Sequence, residues 1–236
     1  MNPPQLINRL TGSHPIRLIA LLVFSCASEA AASFVFNPNL AIPDNSILGV
    51  ADTQAVSMPA GVITGVKLSL NIVGTPLASN AFNGDFYAYL QHAGGFTVLL
   101  NRAGRTTSNP FGYGDSGFNV TFDDSAPNGD IHNYRNLVNP AGGALIGVWQ
   151  PDGRVTNPNN ALASDSRQAL LSSFDGLDPN GNWTLFVADV SPISTGTLKS
   201  WSLDLTVTSI PEPGTIYFCL LAIGACLSAS GRSRKR

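Results

Sequence analysis

Two stretches near the end of the chain decide its fold: Gly181-Asn182-Trp183-Thr184-Leu185-Phe186-Val187-Ala188-Asp189, and then Gly196-Thr197-Leu198-Lys199-Ser200-Trp201-Ser202-Leu203-Asp204-Leu205-Thr206-Val207. In the second, Trp201, Leu203, Leu205 and Val207 alternate with Ser202, Asp204 and Thr206; in the first, Trp183, Leu185 and Val187 hold the same spacing. Successive side chains of a strand point to opposite faces, so an apolar set recurring every second residue marks a strand with one buried face. Both tryptophans therefore belong in a core between sheets.

The same period recurs outward from this pair. Val66, Leu68, Leu70 and Ile72 alternate with Lys67, Ser69 and Asn71, and Phe118, Val120 and Phe122 repeat the pattern. Phe86 to Leu90 and Phe96 to Leu100 read as two strands of a hairpin turning over Gln91 to Gly95. The chain has 236 residues with 23 Gly and 16 Pro, and these, with Asn and Ser, fall between short apolar runs rather than inside long ones. No long internal stretch reads as a helix. Many short strands joined by such turns imply an all-β fold, a two-sheet sandwich or jelly roll. The region Asn136 to Arg167, rich in Asn, Pro and Gly, reads as surface loops.

Charge and thiols narrow the function. From Ser33 to Ile210 there are seven Lys plus Arg against thirteen acids, a net of −6, and every acid is Asp. Such a surface repels nucleic acid. Cys26, Cys219 and Cys226 all lie in the two terminal apolar segments, so the body has no thiol for a disulfide or zinc.

The ends read as addresses. Arg9 and Arg17 precede the apolar run Leu18 to Phe24 and then the small residues Ala30, Ala31 and Ala32, the pattern of a secretory signal peptide over residues 1–32, cut after Ala32 or, alternatively, Ala30. The bulky Phe24 argues against a lipobox at Cys26. At the other end Pro211, Glu212 and Pro213 precede the apolar run Ile216 to Ala229, and Arg232, Arg234, Lys235 and Arg236 close the chain. Fourteen helical residues at 1.5 Å each cover roughly 21 Å, less than the ~30 Å hydrocarbon core, so this transmembrane helix is a weak permanent anchor. Its basic end stays cytoplasmic.

This tail over residues 210–236, Pro-Glu-Pro-Gly then an apolar stretch and a basic end, resembles the PEP-CTERM sorting signal. The resemblance implies a Gram-negative host, recognition by an exosortase with Pro211, Glu212 and Pro213 as the motif, removal of the tail, and delivery to the cell surface or exopolysaccharide matrix.

Within the body, residues 33–209, a span of about residues 38 to 208 resembles the P domain, or Homo B domain, of furin-like and kexin-like proprotein convertases. The residues concerned are Ile42-Pro43-Asp44-Asn45, the strand Val62 to Ile72, Gly84-Asp85-Phe86, Val120-Thr121-Phe122-Asp123-Asp124, Phe174-Asp175-Gly176 and the two closing stretches quoted first. The resemblance implies a jelly-roll β-sandwich that accompanies a subtilisin-like serine protease. The protease domain that usually precedes it is missing from this sequence.

No catalytic residue is assigned. A serine protease brings together a nucleophile, a base and an orienting acid. The body offers only His92, in the hairpin turn, and His132, in a polar loop, both read as solvated and neither beside a G-x-S-x-G motif. The aspartates are the remaining polar feature. Asp124 shares parity with Phe122, and Asp189 with Trp183, Leu185 and Val187, so each closes a strand on its core side, whereas Asp204 faces solvent. Asp85, Asp123, Asp124 and Asp189 all lie at strand ends, where a carboxylate either accepts backbone N–H bonds or contributes to a hard oxygen site of the kind calcium favours.

Three functions remain open on these residues. One is a surface or matrix protein delivered by an exosortase. The second is an accessory module that binds or stabilises a separate subtilisin-like protease. The third is a carbohydrate-binding module using Tyr87, Tyr89, Phe111 and Tyr113.

Overall fold

The computed structural model describes residues 28–74 and 81–209. The leader as far as Ala27 and the sorting tail, with Pro211, Glu212 and Pro213, lie outside the described residues. Ten strands make up the body: β1 (Glu29–Phe36), β2 (Leu40–Ile42), β3 (Ser46–Val56), β4 (Gly61–Gly74), β5 (Phe86–His92), β6 (Gly95–Asn101), β7 (Phe118–Phe122), β8 (Leu145–Trp149), β9 (Gly181–Asp189) and β10 (Gly196–Ser209). Short 3₁₀ turns at Asn83–Asp85, Ile131–Asn136 and Leu171–Phe174 are the helical elements among the described residues, and no described helix is long and apolar enough to cross a membrane.

One sheet runs β1-β10-β4-β7-β8, with β2 also on β10; the other runs β3-β9-β5-β6. All pairings are antiparallel except β7 with β8. Leu68, Leu70, Phe118, Val120, Leu203 and Leu205 of the first sheet meet Phe86, Leu90, Trp183, Leu185 and Val187 of the second in one buried core. This is the two-sheet sandwich that the alternation implies. Trp183 and Trp201 are both buried in it, and each indole N–H is satisfied: Trp183 donates to the Pro179 carbonyl at 3.0 Å, and Trp201 reaches across to Asp52 on β3 at 2.7 Å.

Three features depart from the sequence reading. The first strand begins at Glu29, so Glu29–Ala32, read as the end of the leader, pair with Thr208–Leu205 of β10. The second is the stretch read as surface loops, which contributes β8 and buries Trp149, Arg154 and Ala161. Its connections are pinned by arginines: Arg154 donates to the Ala163 carbonyl at 2.7 Å, Arg167 to the Asp152 and Pro151 carbonyls at 3.0 and 2.7 Å, and Arg105 to the Ala161 carbonyl at 2.8 Å. The third concerns His92 and His132, which are buried rather than solvated, because segments remote in sequence close over them.

Candidate functional site

The four sequence-nominated aspartates occupy opposite ends of the sandwich. Asp85 and Asp189 lie together: Asp189 pairs with Phe86 across β9 and β5, and the Val190 N–H donates to the Asp85 carbonyl at 2.9 Å. Phe118, at the start of β7, packs edge-on to Phe86 with centroids 6.2 Å apart. Asp123 follows the far end of β7, five residues on, and at about 3.3 Å per residue that is roughly 16 Å away. There the Asp123 carboxylate meets Lys67 at 2.8 Å and accepts from the Ser125 hydroxyl at 2.6 Å. The bond from Lys67 leads in holding its pKa down at about 2. Asp124 accepts the Leu171 and Ser172 N–H groups at 3.0 and 2.8 Å, capping a 3₁₀ turn from another segment.

At the first end the carboxylates are poorly served. Asp189 is fully buried; its Oδ1 accepts the Ser191 N–H at 3.2 Å, and its Oδ2 has no hydrogen-bond partner. Asp85 is almost as buried, with its Oδ1 4.0 Å from the Arg102 guanidinium. Arg102 is itself held by the Gly84 carbonyl and, at 3.2 Å, by that of Pro110. Residue 84 has to be glycine, since a Cβ there would run into the Phe111 carbonyl. Burial raises the Asp85 carboxyl to about 6 against the pull of Arg102. Burial also raises Asp189 to about 7, with the Ser191 N–H opposing and Asp85 and Asp44 adding to the rise. Phe82, Phe111, Tyr113 and Ile193 wall an apolar hollow of about 270 Å³ with Asp85 in its lining.

No group of three or more His, Cys, Asp or Glu that could hold a metal ion occurs among the described residues. The Asp85 end thus offers two buried carboxylates with the exposed Asp44 nearby, and a calcium ion there would have to complete its shell with backbone and hydroxyl oxygen.

A second buried polar cluster went unnoticed in the sequence. His132 faces Asp152 Oδ2 through Nδ1 at 2.8 Å, and Arg154 reaches Asp152 Oδ1 at 3.2 Å and Asp130 Oδ2 at 2.7 Å. An acid-oriented imidazole is two-thirds of a hydrolytic triad. The third place is taken, however: His132 Nε2 faces the Arg105 carbonyl at 3.2 Å, an acceptor that cannot act as nucleophile. His92 is engaged in the same way, by the Asn182 and Asp178 carbonyls at 3.0 and 2.7 Å, with its ring stacked on Trp183 at 4.1 Å. The signal that could have located the cluster is weak: Asp130-Ile131-His132 and Asp152-Gly153-Arg154 are two Asp-x-basic pairs 22 residues apart, and none of the four lies on a strand whose alternation would place it inside.

The aromatic candidates divide between two places. Tyr87 and Tyr89 lie half-buried on the outer face of the second sheet, where Tyr89 stacks on Phe186 at 4.8 Å and meets Phe96 at 5.2 Å. Phe111 is 67% exposed beside the hollow, while Tyr113 packs against Tyr134 at 4.7 Å with Arg135 above it at 5.0 Å.

Fold and site together define a β-sandwich module in which the ring nitrogens of both described histidines face carbonyl or carboxylate oxygens. Residues 136–205 match the family model described as Proprotein convertase P-domain, a span that takes in β8, β9 and most of β10. The match thus includes both the closing tryptophan strands and the arginine-pinned region. Among solved structures, the chain aligns with the crystal structure of Aeromonas sobria serine protease (ASP) and the chaperone (ORF2) complex, at 14% identity and a TM-score of 0.42. The alignment covers 78% of this chain and 28% of that one, and carries no functional argument. No curated protein matches the chain.

Proposed function

We propose that this protein is a non-catalytic accessory module of the P-domain type that binds and stabilises a separately encoded subtilisin-like serine protease. The observation that carries the reading is the P-domain match over β8 to β10. The filled hydrogen-bonding positions of His92 and His132 favour a scaffold over an enzyme. Delivery is a separate part of the proposal: the Pro211-Glu212-Pro213 tail favours sorting by an exosortase to the cell surface or exopolysaccharide matrix. There the module would hold its protease outside the cell.

The test mixes the purified protein with a subtilisin-like protease of the same host that lacks a P domain of its own. Co-elution from a sizing column and a longer protease half-life on warming are expected. Failure of both overturns the accessory role, and binding of the protein to the host's exopolysaccharide instead would favour a carbohydrate-binding module built on the Tyr87, Tyr89 and Phe186 strip. Mass spectrometry of the surface protein tests the sorting: a mature form still ending in Arg236 overturns it.

A further inference from the structure

Small residues stand at the spacing an export protease reads before the cuts after Ala32 and Ala30 and also at a further place in the leader, and the sheet distinguishes them. Ala30-Ala31-Ala32 stands before the first cut; Ser25-Cys26-Ala27, directly after the apolar run Leu18 to Phe24, is the further place. β1 pairs with β10 without interruption from Glu29 opposite Thr208 to Phe36 opposite Trp201. Beyond that register, the Ser209 N–H donates to the Ser28 carbonyl at 2.9 Å and the Ser28 N–H to the Ser209 hydroxyl at 3.1 Å. Burial also alternates evenly along the whole strand: Ala30, Ala32, Phe34 and Phe36 are half-buried while Glu29, Ala31, Ser33 and Val35 are exposed. Phe36 lies on Trp201 with ring centroids 4.5 Å apart.

We propose that the leader is removed by hydrolysis of the Ala27–Ser28 bond, so that the mature protein begins at Ser28. Water supplies the hydroxyl that converts the Ala27 carbonyl to a carboxylate and the proton that frees the Ser28 amine; a signal peptidase is the catalyst. A cut after Ala32 would remove half of β1 and leave the backbone of β10 from Leu205 to Thr208 with an open edge, the kind of unpaired ladder that recruits other strands. A cut after Ala27 keeps every described residue of β1. It leaves the Ser28 nitrogen, now an ammonium, still able to donate to Ser209. Cys26 departs with the leader.

The inference rests on residues 1–27 acting as an export leader, and the experiment separates the two ideas. The full chain is produced in a Gram-negative host and the exported protein is read by N-terminal sequencing and intact mass. An N-terminus at Ser28 is expected. An N-terminus at Ala31, at Ser33 or still at Met1 on the exported chain overturns the inference while leaving export intact, and a chain that stays in the cytoplasm overturns both. Ala27→Leu is expected to abolish the Ser28 terminus, and Ala32→Leu to leave it unchanged; the reverse pattern overturns the assignment. Because Ala32 is part of β1, a second readout guards against misfolding. Wild-type chains starting at Ser28 and at Ser33 are melted side by side, with the Ser33 chain expected to melt lower, and equal midpoints would remove the reason for the choice.

Discussion

Two of the charge clusters that the sandwich buries, around His132 and around Asp85, are built on opposite principles. Around His132 the charges nearly close: Asp130 and Asp152 face Arg154, and the His132 ring nitrogens face Asp152 and the Arg105 carbonyl, with Arg154 Nε left without a partner. Around Asp85 they do not close. Arg102 stands 4.0 Å from Asp85 and makes no ion pair with Asp189, whose Oδ2 has no partner. A buried ionic cluster with nearly every group matched fixes conformation, whereas a mismatched one stores electrostatic cost that a proton or cation can relieve. The first cluster explains why the long connections between β7 and β9 are ordered; the second marks the end of the sandwich whose stability should answer to solution conditions.

Breaking the closed cluster is expected to give the largest effect. Arg154 is 2% exposed and ties together Asp130, Asp152 and the Ala163 carbonyl. Arg154→Met strands Asp152 and Asp130 beside each other and should cost about 3–5 kcal/mol, read as a shift in denaturant midpoint. Adding Asp130→Asn and Asp152→Asn should recover part of that loss. If Arg154→Met is nearly neutral, the cluster does not hold the connections in place.

Why one cluster was legible in the sequence and the other was not follows from what each leaves behind. The parity of Asp189 with Trp183, Leu185 and Val187 is enough to place a carboxylate on the core side of a strand, and the fold does bury it. His132 and Arg154 lie between strands, and their partners are carbonyls and acids at separations of 2, 9, 20, 24 and 27 residues, which impose no period. β8 escaped for a related reason: Gly147 interrupts its alternation, and its central residues are exposed. Parity likewise brings Asp124 to a strand end without saying which end of the sandwich that is, so it could not separate the Asp123 and Asp124 pair from Asp85 and Asp189. The Ala-rich start of β1 carries too little hydrophobic contrast to stand out from a leader.

The open cluster should reveal itself through pH. Asp85 and Asp189 have folded values raised to about 6 and about 7, above their ordinary 3.8. Folding therefore takes up protons between these limits, and the contribution of this end is fully present below about pH 4 and is lost as pH rises through 6 and 7. Asp189→Asn removes one of these titrations. The fall in stability between pH 5 and pH 8 should shrink by about 2 kcal/mol, less than three pKa units on one group would give because the two acids share the effect. The slope is the quantity to compare, since an amide at this position brings hydrogen-bonding needs of its own. An unchanged slope would show that the mismatch is relieved elsewhere.

The smallest expected effect is that of calcium, and it bears on the same mismatch from the other side. Counting Asp44, whose Oδ2 accepts the Ile193 N–H at 3.3 Å, three carboxylates stand against Arg102, leaving two negative charges at this end of the sandwich. A divalent cation would balance them, and the unpartnered Asp189 Oδ2 is the atom with most to gain. With only two buried carboxylates, the site should be weak. At a fivefold excess over Kd, binding to the folded state alone adds about 1 kcal/mol. The melting midpoint in millimolar calcium should therefore exceed that in chelator at pH 8. Magnesium should do less, because its tight octahedral shell suits such loops poorly. The difference should narrow at pH 5, where protons already occupy the carboxylates, and should vanish in Asp189→Asn. A calcium shift that survives Asp189→Asn but is lost in Asp123→Asn would move the site to the Lys67 end. No shift at all would leave a proton as the only relief for the buried acids.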